Sequence, residues 1–193
     1  YDSSLKGNND LLSITQPKII EDIHYQFLEA GADIIETNTF NANSISQSDY
    51  ELEDYVFTMN FQSAQLAKNA VKRFNKKNND RKFICGSIGP TNRTASMSPK
   101  VEDLSFRNVT FDELYDTYYE QVDGLVKGGV DLLMVETIFD TLNCKAAIIA
   151  IKDYLNENDL DIPIMISVTI VDKSGRTLSG QTLEAFWHTI KFS

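Results

Sequence analysis

Two short stretches of the chain end an apolar run with a glutamate followed by a threonine. The first is GADIIETNTF at 31–40, and the second is GVDLLMVETIF at 129–139. Glu36 and Glu136 therefore close segments with the short apolar composition of buried β-strands. A carboxylate at such a strand end can hold a ligand ammonium group through a charge-assisted hydrogen bond. It can equally cap the next helix or pair with a lysine, and two matching copies favour a binding role for at least one.

Other polar residues follow apolar runs in the same way. They provide hydroxyls and an amide, and they include no histidine and no nucleophile beside a base. This set is typical of a site that grips a small polar ligand, rather than one that performs acid–base or covalent catalysis. His24 and His188 fall within predicted helices and are interpreted as packing or surface residues. The remaining candidates at strand ends are Thr37, Asn38, Thr39, Ser87, Thr137, Ser167 and Thr169.

Helix and strand patterns alternate along the chain. The first helix is predicted to end near Ala30, with Ile20, Ile23, Phe27 and Ala30 on one apolar face. Thr110 and Glu113 have the spacing of a capping box at the start of a later helix. Strands are predicted at 32–37, 82–90, 131–137 and 162–170. Helices are predicted at 17–30, 110–127, 142–155 and from near Thr182, with a further helix that carries Ala64, Ala67, Val71 and Phe74 on one face and stops at 75–80.

This order predicts an α/β fold in which helices cover a parallel sheet. Two architectures fit the pattern: a doubly wound open sheet and a (β/α)8 barrel. In both, the carboxyl ends of the strands form one rim, where ligands bind. A complete barrel has eight strands, and four are predicted here, so the pattern leaves both architectures open. No GxGxxG or GxxxxGK[ST] motif follows a strand, which disfavours a nucleotide-binding function.

Composition excludes several classes of function. The 193 residues carry a formal net charge of −10, which argues against partners with a phosphate backbone and against an anionic membrane surface. No run approaches the roughly 20 apolar residues of a membrane span. The two cysteines, Cys85 and Cys144, lack the spacing of a metal or redox motif. We interpret the chain as a cytoplasmic protein with reduced, buried cysteines and with neither nucleic acid nor membrane as a partner.

Six segments, spread in register over nearly the whole chain, closely resemble the homocysteine-binding domain of cobalamin-dependent methionine synthases. Other homocysteine S-methyltransferases share the strands that end in Glu-Thr more loosely. The segments are LKGNNDLLSITQP (5–17), GADIIETNTFNANSISQSDY (31–50), GPTNRTASMSP (89–99), FRNVTFDELY (106–115), ETIFDTLNCKAA (136–147) and DKSGRTLSGQT (172–182).

The resemblance implies a (β/α)8 TIM barrel, present in residues 1–193 as a partial barrel domain of about four βα units. The family's first strand is expected to precede Tyr1, and its last three strands are expected to follow Ser193. The three zinc-ligating cysteines of the family belong to those later strands. This chain alone is therefore expected to bind neither zinc nor cobalamin and to be inactive.

The resemblance further implies that zinc lowers the pKa of the homocysteine thiol, and that the thiolate takes the methyl group of methylcobalamin to give methionine. Cobalamin- and folate-binding domains of the same full-length protein are the implied partners. By match to the motif, Glu136 is expected to bind the ammonium group of homocysteine. Asn38, Ser87 and Thr169 are expected beside it, and Glu36 is expected to hold its own loop. Two alternatives remain: another zinc-dependent homocysteine S-methyltransferase, or a non-catalytic truncated barrel that binds an amino acid.

Overall fold

The computed structural model describes residues 3–193. The described residues form four strands and seven helices, and one or two helices precede and follow each strand; short 3-10 turns lie at Ser3–Leu5, Ser48–Tyr50 and Glu53–Tyr55. The strands are β1 (Ile34–Glu36), β2 (Phe83–Ile88), β3 (Leu132–Ile138) and β4 (Ile164–Val168). The helices are α1 (Leu12–Thr15), α2 (Pro17–Glu29), α3 (Ser44–Gln47), α4 (Val56–Asn75), α5 (Phe111–Gly128), α6 (Thr141–Glu157) and α7 (Leu183–Ile190).

The four strands form one parallel sheet in the order β1-β2-β3-β4. Each strand pairs with the next strand in the sequence, and a helix lies between them. A doubly wound sheet reverses its strand order at a switch point, whereas a barrel adds each strand on the same side. The order therefore decides between the two architectures left open by the sequence. The α/β prediction and the four βα units of a (β/α)8 barrel are confirmed.

The main core lies between the sheet and the helices. Ile35, Ile84 and Leu133 point to this side from three adjacent strands and are almost completely buried. Helices α4 and α5 approach closely, since a Cβ added to Gly128 would lie 2.5 Å from the Cβ of Ala64. The other sheet face carries Phe83, Cys85, Leu132 and Met134, which form a separate small cluster. This second face corresponds to the interior of a barrel.

Local capping signals gave the correct start for α5. Thr110 accepts a hydrogen bond from the Glu113 backbone N–H, and the Glu113 carboxylate accepts one from the Thr110 N–H at 2.7 Å. The predicted capping box is therefore confirmed.

The apolar face predicted for α2 is wrong except at Ile20. Ile23 and Phe27 are 42% and 61% exposed, while His24 and Leu28 are buried. The reason is tertiary, because α2 packs against both α4 and the edge strand β1. That geometry turns inward the row of residues from Ile20 through His24 to Leu28.

No helix in the described part of the chain combines the length and the apolar composition needed to cross a bilayer.

Candidate functional site

Alternation along the strands places Ser87 and Glu136 on the barrel-interior face. In β2, Ile84 and Ile88 face the helices, and a Cβ on Gly86 would meet Leu133 and Leu125 on that side. Cys85 and Ser87 must therefore point to the opposite face. Glu136 joins Ser87 there, because the Ser87 hydroxyl donates to its Oε1 atom at 2.5 Å. The structure thus brings together two of the four predicted ligand-binding residues.

Glu136 is held at both carboxylate oxygens. Ser87 donates to Oε1, and the Thr137 hydroxyl lies 3.3 Å from Oε2 as a weaker donor. The side chain is half-buried at the carboxyl end of β3. A carboxylate fixed in this way keeps lone pairs available for a further donor, because each oxygen accepts more than one hydrogen bond.

Glu36 lies close enough to Glu136 for their charges to interact. Burial raises the pKa of Glu36, and the negative charge of Glu136 raises it further. The negative charges of both carboxylates also raise the pKa of Cys85, which pairs with Glu36 across β1 and β2. The two glutamates therefore flank β2 on the interior face and make this rim electronegative, which favours a cationic ligand group.

The loop after β1 is fixed by Thr37 and Thr39. The Thr37 hydroxyl accepts the Ser87 N–H at 3.0 Å, and the Thr39 hydroxyl donates to the Ser87 carbonyl at 2.7 Å. Within the described residues, Glu36 makes no side-chain hydrogen bond to this loop. Thr37 and Thr39 therefore hold the loop after β1, which is the role that was expected for Glu36.

Asn38 and Thr169 lie at the same rim with different surroundings. The Asn38 side-chain amide donates to the Asn9 carbonyl at 2.9 Å and to the Ser13 hydroxyl at 3.2 Å. Its nitrogen is therefore engaged with the N-terminal segment. Thr169 follows β4, and its backbone N–H donates to the Ile138 carbonyl at 2.9 Å, which keeps it beside the end of β3.

Two residues at the start of α6 tie the long loop after β2 to the site, and they were not among the predicted residues. Asp140 caps α6 with Oδ1 and accepts from the Ser96 N–H and hydroxyl with Oδ2. Asn143 accepts the Ala95 N–H and donates to the Arg93 carbonyl. The signal available in the sequence was the cap position of Asp140 after a strand. The polar loop is thus anchored four residues beyond Glu136.

A cavity of about 410 Å³ opens beside β1 and reaches the rim. Glu36, Thr37 and Asn38 line its polar end, and Ile23 and Phe27 line its apolar end. His24 also lines this cavity, and burial lowers its pKa to about 4, so the imidazole is neutral near pH 7. His24 is a buried packing residue, and His188 is exposed on α7, as interpreted from the sequence.

The described residues do not fit a zinc site. No group of three His, Cys, Asp or Glu side chains within them is arranged to hold a metal ion. Cys85 and Cys144 are free and buried, and burial raises the pKa of each thiol to about 12. Cys85 faces the barrel interior and Cys144 lies in the helix-side core, so they do not converge.

Comparison with known proteins points to one family. A family model described as homocysteine S-methyltransferase matches residues 1–192. Among solved structures, the chain is similar to the homocysteine methyltransferase MmuM from Escherichia coli. The metallated form has 20% identity and a TM-score of 0.75 over 94% of this chain and 61% of that chain. The oxidized form has 19% identity and a TM-score of 0.77 over 99% and 63%. The chain thus spans about three-fifths of these structures, and at such identities the likeness establishes the fold.

Proposed function

The chain belongs to the homocysteine S-methyltransferase family, whose model matches residues 1–192, and on that basis we propose that it supplies the homocysteine-binding part of a methionine synthase. The observation that carries the proposal is the hydrogen-bonded pair of Ser87 and Glu136 at the ends of adjacent strands. In this account residues 1–193 form part of a homocysteine-binding barrel. Two unpaired, buried cysteines suit the reducing cytoplasm in which we place the protein.

The role of this chain is to grip the amino-acid end of homocysteine. Glu136 accepts hydrogen bonds from the substrate ammonium group, and Ser87 keeps the carboxylate turned towards it. The charge of Glu36 adds to the negative potential that attracts the ammonium. Asn38 and Thr169 lie at the same rim, where we assign them to the surroundings of the bound amino acid. With the amino-acid end fixed, the orientation of the thiol is restricted, which favours its reaction.

Zinc and cobalamin enter the proposal as cofactors of the full-length protein, together with folate- and cobalamin-binding domains. The segments that resemble methionine synthases support this choice of methyl donor. Since the described residues do not fit zinc, no step of the methyl transfer is assigned to them.

A second candidate is a homocysteine methyltransferase with another methyl donor. It is compatible with the family match over residues 1–192, whose description names homocysteine as the methyl acceptor and names no methyl donor. The two candidates share the amino-acid grip and differ in the donor.

The methyl donor decides between these candidates. The full-length protein, loaded with zinc, is expected to form methionine from homocysteine when methylcobalamin is supplied. The measurement is methionine production with methylcobalamin and, separately, with small-molecule methyl donors. Methionine formed solely from a small-molecule donor would replace the first candidate by the second.

Removal of the Ser87 hydroxyl is expected to weaken homocysteine binding by about fivefold in Ser87→Ala, since one hydrogen bond contributes about 1 kcal/mol. Titration calorimetry with homocysteine measures this change. Ser105→Ala is the matched control, because Ser105 is an exposed serine in the loop between β2 and α5. Equal affinities in both variants would show that Ser87 does not orient Glu136.

A further inference from the structure

Thr137 has a backbone conformation that is unfavourable for its residue type. Its φ angle is +54°, in the left-handed region. Branching at Cβ makes threonine a costly residue there, and such outliers concentrate at functional sites. Thr137 directly follows Glu136, so the unusual backbone lies at the proposed ligand-binding carboxylate.

The two other non-glycine residues with positive φ among the described ones have ordinary explanations. Glu51 ends the 3-10 turn Ser48–Tyr50, and Asp159 comes two residues after the end of α6. Left-handed residues commonly terminate helices and turns in this way. Thr137 instead lies inside β3. Its conformation therefore needs a different explanation.

The explanation is a β-bulge between β3 and β4. Val135 pairs with Ile166, and pairing resumes at Ile138 with Val168. Glu136 and Thr137 therefore lie opposite the single residue Ser167, which defines a bulge. The extra residue has a consequence for side-chain direction: Val135 and Ile138 are three positions apart, yet both are buried in the helix-side core. Regular alternation would place them on opposite faces.

Glu136 faces the barrel interior by regular alternation with Leu132 and Met134, and the bulge that follows returns Ile138 to the core. In a regular strand, Thr137 would face the core and Ile138 would face the barrel interior. The Thr137 hydroxyl also lies 3.3 Å from Glu136 Oε2, on the other side of the carboxylate from Ser87. The backbone of Thr137 thus forms the bulge beside Glu136, and its side chain contacts the Glu136 carboxylate.

The Glu36–Thr37 pair at the end of β1 has no left-handed residue and no such bulge. Thr37 is buried, has no positive φ and uses its hydroxyl to accept the Ser87 N–H. The same dipeptide therefore anchors a loop at the end of β1 and forms a bulge in β3.

We propose that Thr137 is a positioning residue, whose left-handed backbone in the bulge brings its hydroxyl to the Glu136 carboxylate and so holds that carboxylate towards the substrate ammonium. This inference rests on the proposed function of Glu136. Thr137 acts through the carboxylate and is not assigned a contact with the substrate.

Thr137→Gly tests the proposal, with Asp159→Gly as the matched control at the same φ of 54°. Glycine adopts positive φ without strain but adds entropy to the unfolded chain, so the melting temperatures of both full-length variants are expected to stay within about 3 °C of the wild type. Thr137→Gly loses the hydroxyl and loosens the bulge, and homocysteine affinity is expected to fall about tenfold. Asp159→Gly is expected to bind homocysteine like the wild type. Thr137→Ser keeps the hydroxyl and is expected to stay within about twofold of the wild type.

A second ligand separates positioning from general disturbance of the site. The affinity for 4-mercaptobutanoate, which lacks the amino group, is expected to be equal in the wild type and Thr137→Gly. Loss of affinity for both ligands would overturn the proposal, as would unchanged homocysteine affinity in Thr137→Gly or a fall in its melting temperature clearly larger than about 3 °C. If one of these outcomes is found while Glu136→Gln still loses homocysteine affinity in the same assay, the proposed role of Thr137 is overturned and the proposed function of Glu136 is not. Unchanged affinity in Glu136→Gln would instead remove the proposed function itself.

Discussion

Glu136→Gln is expected to weaken homocysteine binding to the full-length protein about a hundredfold. The substitution keeps the size of the side chain and one acceptor oxygen, but it removes the negative charge. Loss of a charged partner from a partly buried ammonium–carboxylate pair costs about 2–4 kcal/mol, and about 2.7 kcal/mol corresponds to a hundredfold. Titration calorimetry with homocysteine measures the affinity, and a parallel titration measures zinc.

Zinc affinity is expected to be the same in Glu136→Gln and in the wild type, since Glu136 is not proposed as a metal ligand. Glu184→Gln is the matched control, because Glu184 is exposed on α7. An equal, small effect of both substitutions on homocysteine binding would rule out Glu136 as the ammonium ligand. A parallel loss of zinc would indicate that Glu136 serves the metal instead.

The second large effect is expected on stability in acid and comes from His24. This imidazole is buried, and within the described residues its Nε2 atom lacks a hydrogen-bond partner. Burial lowers its pKa from 6.5 to about 4. Between about pH 6.5 and pH 4, His24 is therefore protonated in the unfolded chain and neutral in the folded chain. Unfolding becomes easier as the pH falls, and the loss from this group is about 2 kcal/mol between pH 7 and pH 4.5.

His24→Leu is expected to remove that part of the pH dependence. The free energy of unfolding is measured by chemical denaturation near pH 7 and near pH 4.5. The wild type is expected to lose about 2 kcal/mol more than the variant over this interval. His188→Leu is the control, since the second histidine of the chain is exposed. An identical pH dependence in the wild type and His24→Leu would show that the imidazole is free to take up its proton in the folded state.

The sequence was informative wherever the cause of a structure is local. The capping box of Thr110 and Glu113 depends on neighbouring residues, and the structure has it as predicted. Short apolar runs gave the four strands for a similar reason, because burial on both faces leaves a continuous apolar pattern. Ser87 and Glu136 were predicted at one rim because each follows an apolar run, and the structure places both there, while the ammonium-binding role of Glu136 stays a prediction.

Features that depend on tertiary packing were not accessible from the sequence. The buried face of α2 is set by its contacts with α4 and β1. His24 is therefore buried, whereas Ile23 and Phe27 are exposed. The bulge at Thr137 depends on the register of β4, which lies some thirty residues later in the chain. A Glu-Thr pair carries no local sign of it, as the ordinary backbone of Thr37 shows.

The central claim is that the Glu136 carboxylate binds the amino group of homocysteine, and a cycle of ligand and protein changes tests it most directly. Binding of homocysteine and of 4-mercaptobutanoate is measured by calorimetry for the full-length wild type and for Glu136→Gln. The claim predicts that removing the amino group costs the wild type about a hundredfold in affinity and costs Glu136→Gln little, because the two changes delete the same interaction. An equal loss in both proteins would show that the amino group is bound elsewhere and would contradict the claim.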